Sequence, residues 1–256
     1  MKTIGSKLTA VALPEIPIIR HGDDLAQVVL NGLDRLAMRL EVDDILVITS
    51  KIVSKAEGRQ IDLRSIEPGV EAKRLASETH KDPRIVELVL RESQKISRKA
   101  PGVLVTQHRL GFVSANAGID QSNVDGSDDM VLLLPVDPDV SADNLRERLF
   151  QLAGVNVGIV ISDSHGRPFR MGNVGVAIGV AGMPAVFDLR GKADLFGREL
   201  KISIQGYADL VASTANLLTG EADEGRPIVL IRGLQLPFYD GHATDLYRAP
   251  EQDLYR

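Results

Sequence analysis

Four acidic side chains stand in settings suited to chemistry. Asp120 lies in Asn116-Ala-Gly-Ile-Asp-Gln-Ser-Asn123, and Asp163 follows the apolar run Val155–Ile161 and opens Ser162-Asp-Ser-His-Gly-Arg167. Glu221 and Asp223 share Gly220-Glu-Ala-Asp-Glu-Gly225. All four are expected in loop-like surroundings. A carboxylate at the end of a buried strand is costly to desolvate unless something pairs with it. Several such carboxylates beside hydroxyl and amide groups form an oxygen-rich ligand set for a hard divalent cation. Such a cation points to phosphate chemistry.

Each motif also has a plainer reading. Asp120 and Asn123, with Gly118 allowing a tight backbone, read first as an Asx-turn between two strands. The Asp163 segment reads more strongly as functional, because ligands of open α/β sheets gather at the carboxyl ends of strands. There Asp163 and the Ser164 hydroxyl would face a metal, and Arg167 and Arg170 would face phosphate or carboxylate. His165 alone reads as structural or solvent-facing. Lys51 and Lys55 follow the apolar run Ile45–Thr49 and can neutralise phosphate oxygens; otherwise they sit on a solvated helix start. The acidic run after Gly220 is a solvated loop, or it is tolerated at a helix C-terminus by a nearby cation.

Gly172, Gly175, Gly179 and Gly182 recur in an apolar stretch. They admit either a ligand or a closely packed neighbour. No strand–GxGxxG–helix arrangement and no P-loop occurs, so any nucleotide must be held another way.

Composition narrows the class. With 256 residues, the chain is long enough for one large domain or two small ones. A net charge of −5 argues against generic binding to nucleic acid or an anionic membrane. The absence of Cys excludes disulfides, thiolate metal sites and Cys nucleophiles. Trp is absent and aromatics are only 4%, so platforms for stacking bases are sparse. The N-terminus lacks a signal-peptide core and no apolar run is long enough to span a bilayer. A cytoplasmic enzyme is the expectation.

The elements that must position these residues alternate between helix and strand, giving a mixed α/β chain. Asp23 and Asp24 cap a helix through Leu25, Val28, Val29, Leu33 and Leu36. Ile45–Thr49 is a buried strand. Glu71–Lys99 is charged and helix-favouring, with Pro83 near a second helix start and Ile96 in a loose apolar stripe. Short strands follow over 102–106, 111–114 and 130–134. Pro138 and Ser141 then mark the start of a helix carrying Leu145, Leu149 and Leu152. Strands are expected over 155–161, 174–180, 200–205 and 228–231, with a helix over 206–218. The polar tail after Gly233 is expected to be poorly ordered. The helical middle suggests residues 71–154 as an insert, splitting a main domain of 1–70 and 155–256.

Taken together, the chain resembles the coenzyme F420-0:L-glutamate ligase (F420:gamma-glutamyl ligase) family. The resemblance runs from about Leu13 to Gly233. Its matching segments are Gly22–Leu25, Ile52–Arg59, Asn116–Asp120 with Ser122–Val124, and Leu133–Pro135 with Asp137–Pro138. Asp163 with Gly166–Arg167, Asp194–Leu195 with Gly197–Leu200, and Ala215–Leu218 with Gly220–Glu221 complete the series. The family joins L-glutamate to F420-0 using GTP and Mg²⁺ or Mn²⁺. The resemblance therefore implies a two-domain α/β fold in an intertwined homodimer, with F420-0, L-glutamate and GTP as partners.

Carried over by position, Asp120, Asp163, Ser164 and Glu221 would hold metal. Pro14, Glu15, Ile16, Pro17, Ser50, Lys51, Lys55, Asn123 and the loop Thr219, Gly220, Glu221, Ala222, Asp223, Glu224, Gly225 and Arg226 would hold GTP. Lys55, Asp163 and Arg167 are the expected catalytic set, with Arg167 or Arg170 orienting a substrate carboxylate. Ser164 stands where the family pattern has Thr, and Lys51 where the archaeal pattern has a small hydroxyl residue. The loop 221–225 is bulkier and more acidic than a Gly-rich version. The expected reaction passes through an acyl phosphate. The alternatives are a nucleotide- or metal-binding regulatory protein, or a phosphotransferase without ligase activity.

Overall fold

The computed structural model describes residues 7–124, 128–236 and 240–253. The chain starts with strand β1 (Thr9–Ala12), helix α1 (Leu25–Arg35), strand β2 (Ile45–Thr49) and helix α2 (Ser50–Ala56). Strand β3 (Gln60–Asp62), helices α3 (Val70–Thr79) and α4 (Pro83–Arg91), and strands β4 (Ser93–Ala100), β5 (Val103–His108), β6 (Val113–Ala115) and β7 (Met130–Leu132) follow. Helix α5 (Pro138–Ala153) leads to the long hairpin β8 (Gly158–Arg167) and β9 (Arg170–Ala181). Strands β10 (Val186–Asp188) and β11 (Ile204–Gly206), helix α6 (Tyr207–Thr219) and strand β12 (Ile228–Arg232) complete the regular structure.

The central sheet has the order β1-β12-β2-β8-β9. Only β2 and β8 run parallel. Strand β2 is apolar at every position from Ile45 to Ile48 because both faces of the sheet are covered. Leu46 and Ile48 pack with Val29 and Leu33 of α1 and Leu145 and Leu149 of α5. Ile45 and Val47 pack on the other face with Val211 and Ala212 of α6. The period-2 alternation of strand side chains thus divides one strand between the two covered faces of the sheet. Each fully buried Val, Leu or Ile contributes about 1.5–3 kcal/mol.

The glycines of β9 serve close packing. A Cβ on Gly175 would come within 2.5 Å of the Ala212 carbonyl oxygen, and one on Gly179 within 2.3 Å of the Pro138 carbonyl oxygen. Helices α6 and α5 therefore lie directly on the strand backbone.

A second core contains Leu63, Leu75, Val86, Val89, Leu104, Val131 and Leu133. It is covered by the sheets β3-β7 and β4-β5-β6. Helix α5 falls inside the stretch 71–154, yet Ala142, Leu145 and Leu149 pack into the core of the central sheet.

Three sequence expectations change. Residues 93–100 form a strand, although their charge and Ile96 suggested helix. β4 is an irregular, largely exposed strand held by pairing with β5, so its polar sequence carries no alternation to read. The strand expected over 200–205 shrinks to Ile204–Gly206, because Lys201 and Ile202 face solvent with no core to align them. The described tail residues 240–253 are docked rather than loose. Ala243 is buried among the α6-side core residues, and Tyr247 packs near Phe112 with ring centroids 6.5 Å apart. Among the described residues, no helix is long and apolar enough to cross a membrane.

Candidate functional site

An open cleft of about 600 Å³ forms where the parallel pair β2 and β8 ends. The last pairing of that pair is Thr49 with Ser162. Beyond it β2 turns at once into α2, whereas β8 continues to Arg167 paired only with β9. The free edge of β8 past Ser162 therefore opens onto the cleft. The sequence places Asp163 in a loop beyond a strand; it lies within β8, next to a register slip between Ile161 and Ser162.

Asp163 is braced on both oxygens. The Ser50 hydroxyl donates to Oδ1 at 3.3 Å, and His165 Nε2 stands 3.0 Å from Oδ2. His165 therefore has a positioning contact, although its isolated occurrence in sequence signals nothing. Next along β8, the Ser164 hydroxyl donates to Glu221 Oε1 at 2.7 Å. Asn216, in the last turn of α6, donates to the same oxygen at 3.1 Å. Glu221 follows Gly220, which ends α6 at a φ of 70°.

Asp120 and Asn123 occupy the opposite wall. The Asx-turn reading of this segment is correct in geometry: the Ser122 amide and hydroxyl donate to Asp120 Oδ1 at 2.7 and 2.8 Å. The turn also faces the cleft. Lys51 Nζ lies 2.6 Å from Asp120 Oδ2. Burial pushes the Asp120 carboxyl up, but the Lys51 ammonium and the Ser122 donors outweigh it and hold it below the usual carboxylate range. Lys51 and Lys55 are four residues apart on α2 and share a face. Lys55 donates to the Asn123 carbonyl at 2.7 Å. The Asn123 side-chain amide donates to the Ala222 carbonyl at 3.1 Å, linking the 119–124 turn to the 219–226 loop.

Of the residues expected at the site, Ile16, Pro17, Ser50, Lys51, Lys55, Asp120, Asn123, Asp163, Ser164 and all of Thr219–Arg226 line this cleft. Pro14 and Glu15 are not among its lining residues, and Glu15 turns to pair with Arg35 at 3.0 Å. Arg167, expected to touch substrate, is also outside the lining. It donates to the Met171 carbonyl at 3.2 Å and braces the β8–β9 hairpin. Distance along the strand explains the difference: Arg167 lies four residues, about 13 Å, past Asp163, at the hairpin end and beyond a register shift after Gly166. Ser122 and Asn216 are contacts that the sequence reading did not single out. Asn216 had one local signal, its place one turn before the Gly220 helix end.

The donors match a hard cation: carboxylate and hydroxyl oxygens, with no Cys in the chain. The Ser164 hydroxyl joins Glu221, and Asp163 precedes Ser164 on β8, lining the same cleft. Among the described residues, no three His, Asp or Glu side chains already converge as a metal-holding group. Each acid is instead satisfied by protein donors, which a bound ion would displace.

A family model described as F420-0:Gamma-glutamyl ligase matches residues 14–233. The chain belongs to this family. It is 47% identical to the coenzyme F420:L-glutamate ligase of Methanopyrus kandleri over 97% of this chain and 99% of that protein. It is 43% identical to the protein of the same name from Methanocaldococcus jannaschii, over 94% of each chain. The Haloarcula marismortui ligase is 39% identical, over 96% of this chain and 94% of its own length. These matches run through both walls of the cleft and both cores of this F420-0:gamma-glutamyl ligase family member.

Proposed function

We propose that this chain is the F420-0:L-glutamate ligase of its host, using GTP and Mg²⁺ or Mn²⁺ in coenzyme F420 biosynthesis. One observation carries the reading. In a chain 47% identical to a named F420:L-glutamate ligase, Lys55, Asp163, Ser164 and Glu221 meet on one cleft from three separate segments. A carboxylate is a poor electrophile. Transfer of the γ-phosphoryl group of GTP to the F420-0 carboxylate would release GDP and leave an acyl phosphate. The glutamate amine then attacks the carbonyl carbon, loses a proton and expels phosphate.

In this reading Asp163, Ser164 and Glu221 hold the metal, which neutralises phosphate charge and aligns the transferred group. Ser50 and His165 keep Asp163 aimed at the cleft. Lys55, on the wall of Asp120 and Asn123, offsets negative charge on the nucleotide. Asn123 ties together the two loops that flank the nucleotide groove. The reading also takes the active form as a homodimer, supported by large apolar side chains left exposed on two segments, described below.

The test measures GDP and phosphate release with F420-0 and glutamate present together and each omitted. Tight dependence on both, with a glutamylated product and complete loss in EDTA, is expected. GTP hydrolysis indifferent to glutamate would favour a phosphotransferase, and the absence of turnover would favour a binding protein.

A further inference from the structure

Lys51 occupies the oxygens that a hard cation at Asp120 would need. Its ammonium lies 2.6 Å from Asp120 Oδ2 and donates to the Ser122 carbonyl at 3.0 Å and the Ser122 hydroxyl at 3.1 Å. Three donors thus meet three oxygen acceptors, the full capacity of a lysine head group. The other carboxylate oxygen, Oδ1, accepts from the Ser122 amide and hydroxyl. Carboxylate, hydroxyl and carbonyl oxygens are the donors a Mg²⁺ or Mn²⁺ ion selects. An ammonium is a compact point charge that suits the same cradle.

The tether strengthens this arrangement. Lys51 is the second residue of α2, and its neighbours Ser50, Ile52 and Val53 are buried. The start of its side chain is therefore fixed by the core, which keeps the ammonium within reach of Asp120. A free ion would have to displace it and shed its own water, which Mg²⁺ does reluctantly. Two cations on one carboxylate also repel each other. The opposite wall differs: there the Ser50 hydroxyl and His165 meet Asp163, and the Ser164 hydroxyl and the Asn216 amide meet Glu221.

We infer that the Lys51 ammonium stands in for a divalent ion at Asp120. Without nucleotide, the chain then holds one metal ion, at Asp163, Ser164 and Glu221, and none at Asp120. This rests on the reading of those three residues as metal ligands. Lys51 is thereby a residue that sets the number of ions in the site, a role distinct from contact with the nucleotide.

The test is a Mn²⁺ titration of nucleotide-free protein, reading free Mn²⁺ by electron paramagnetic resonance. Wild type, Lys51→Ser, Lys51→Gln and Asp163→Asn are compared, with the melting temperature of each. The expected result is one tight ion in wild type, two in both Lys51 variants, and loss of the wild-type ion in Asp163→Asn. Two ions in wild type, or one ion in folded Lys51 variants, overturns the inference while leaving metal binding at Asp163 intact. Lower melting temperatures in the Lys51 variants with unchanged ion number would mark Lys51 as a loop brace and also overturn it. No tight ion in wild type overturns this inference and the metal reading together.

Discussion

Asp163 concentrates the chemistry of the cleft in one side chain. It accepts from Ser50 and contacts His165, so both oxygens are aimed before any ligand arrives. Asp163→Asn preserves volume and keeps one acceptor oxygen, but removes the charge. Activity is expected to fall by about 100-fold or more, as for loss of one preorganised electrostatic contact. Stability should change by less than about 1 kcal/mol, since the side chain is only partly buried. Specific activity and melting temperature on one preparation check this; near-normal activity with a lowered melting temperature would reduce Asp163 to a brace. Its importance was legible in sequence because a polar run follows Ile161 abruptly. The roles of Lys51 and Asn216 were not, because their partners lie far along the chain or across a helix end.

Among elements, the least visible in sequence is the junction between the cleft and the second core. Glu92, just past α4, accepts from Arg59 at 3.3 Å and Arg109 at 2.9 Å. His108 of β5 is fully buried, stacks on Phe112 at 5.0 Å, and places Nε2 3.6 Å from Glu92. Burial alone would raise the Glu92 carboxyl; His108, Arg109 and Arg59 outweigh it and pull it down to about 2. A lowered folded-state value means that the ionised form contributes stability above the ordinary glutamate value, about 4.3. That contribution is lost as pH falls from there through about 2. Glu92→Gln should therefore cost about 2 kcal/mol at neutral pH. The gap between variant and wild type should close as pH drops through this window. Urea unfolding at several pH values reads both, and a gap independent of pH would refute the ionic role. Charged residues at 92–99 suggested a solvated helix because sequence shows charge without showing what neutralises it.

For the whole molecule, the question is what covers its apolar surface. Phe169 and Met171 at the β8–β9 tip, and Leu195 and Phe196 between β10 and β11, are almost fully exposed. Ile202 is nearly as open. Exposed apolar clusters of this kind mark association surfaces. Light scattering is expected to give twice the 27.8 kDa chain mass, and Phe196→Asp to shift it toward a single chain. A single-chain mass for wild type at micromolar concentration would remove the dimer from the proposed function. The segment around Leu195 was visible beforehand only as a family motif, with no chemistry of its own to explain it. The sequence by itself determined the buried strand β2, the capped helix α1 and the oxygen-rich donor set, since these follow from local periodicity and residue type; for the glycines of β9 it left ligand and close packing open. Tertiary structure alone decided that α5 joins the central core, that β4 is a strand, that Arg167 turns away from the cleft, and that Lys51 covers Asp120. Those outcomes depend on partners brought from distant parts of the chain, and no local pattern encodes the neighbour that satisfies a charge.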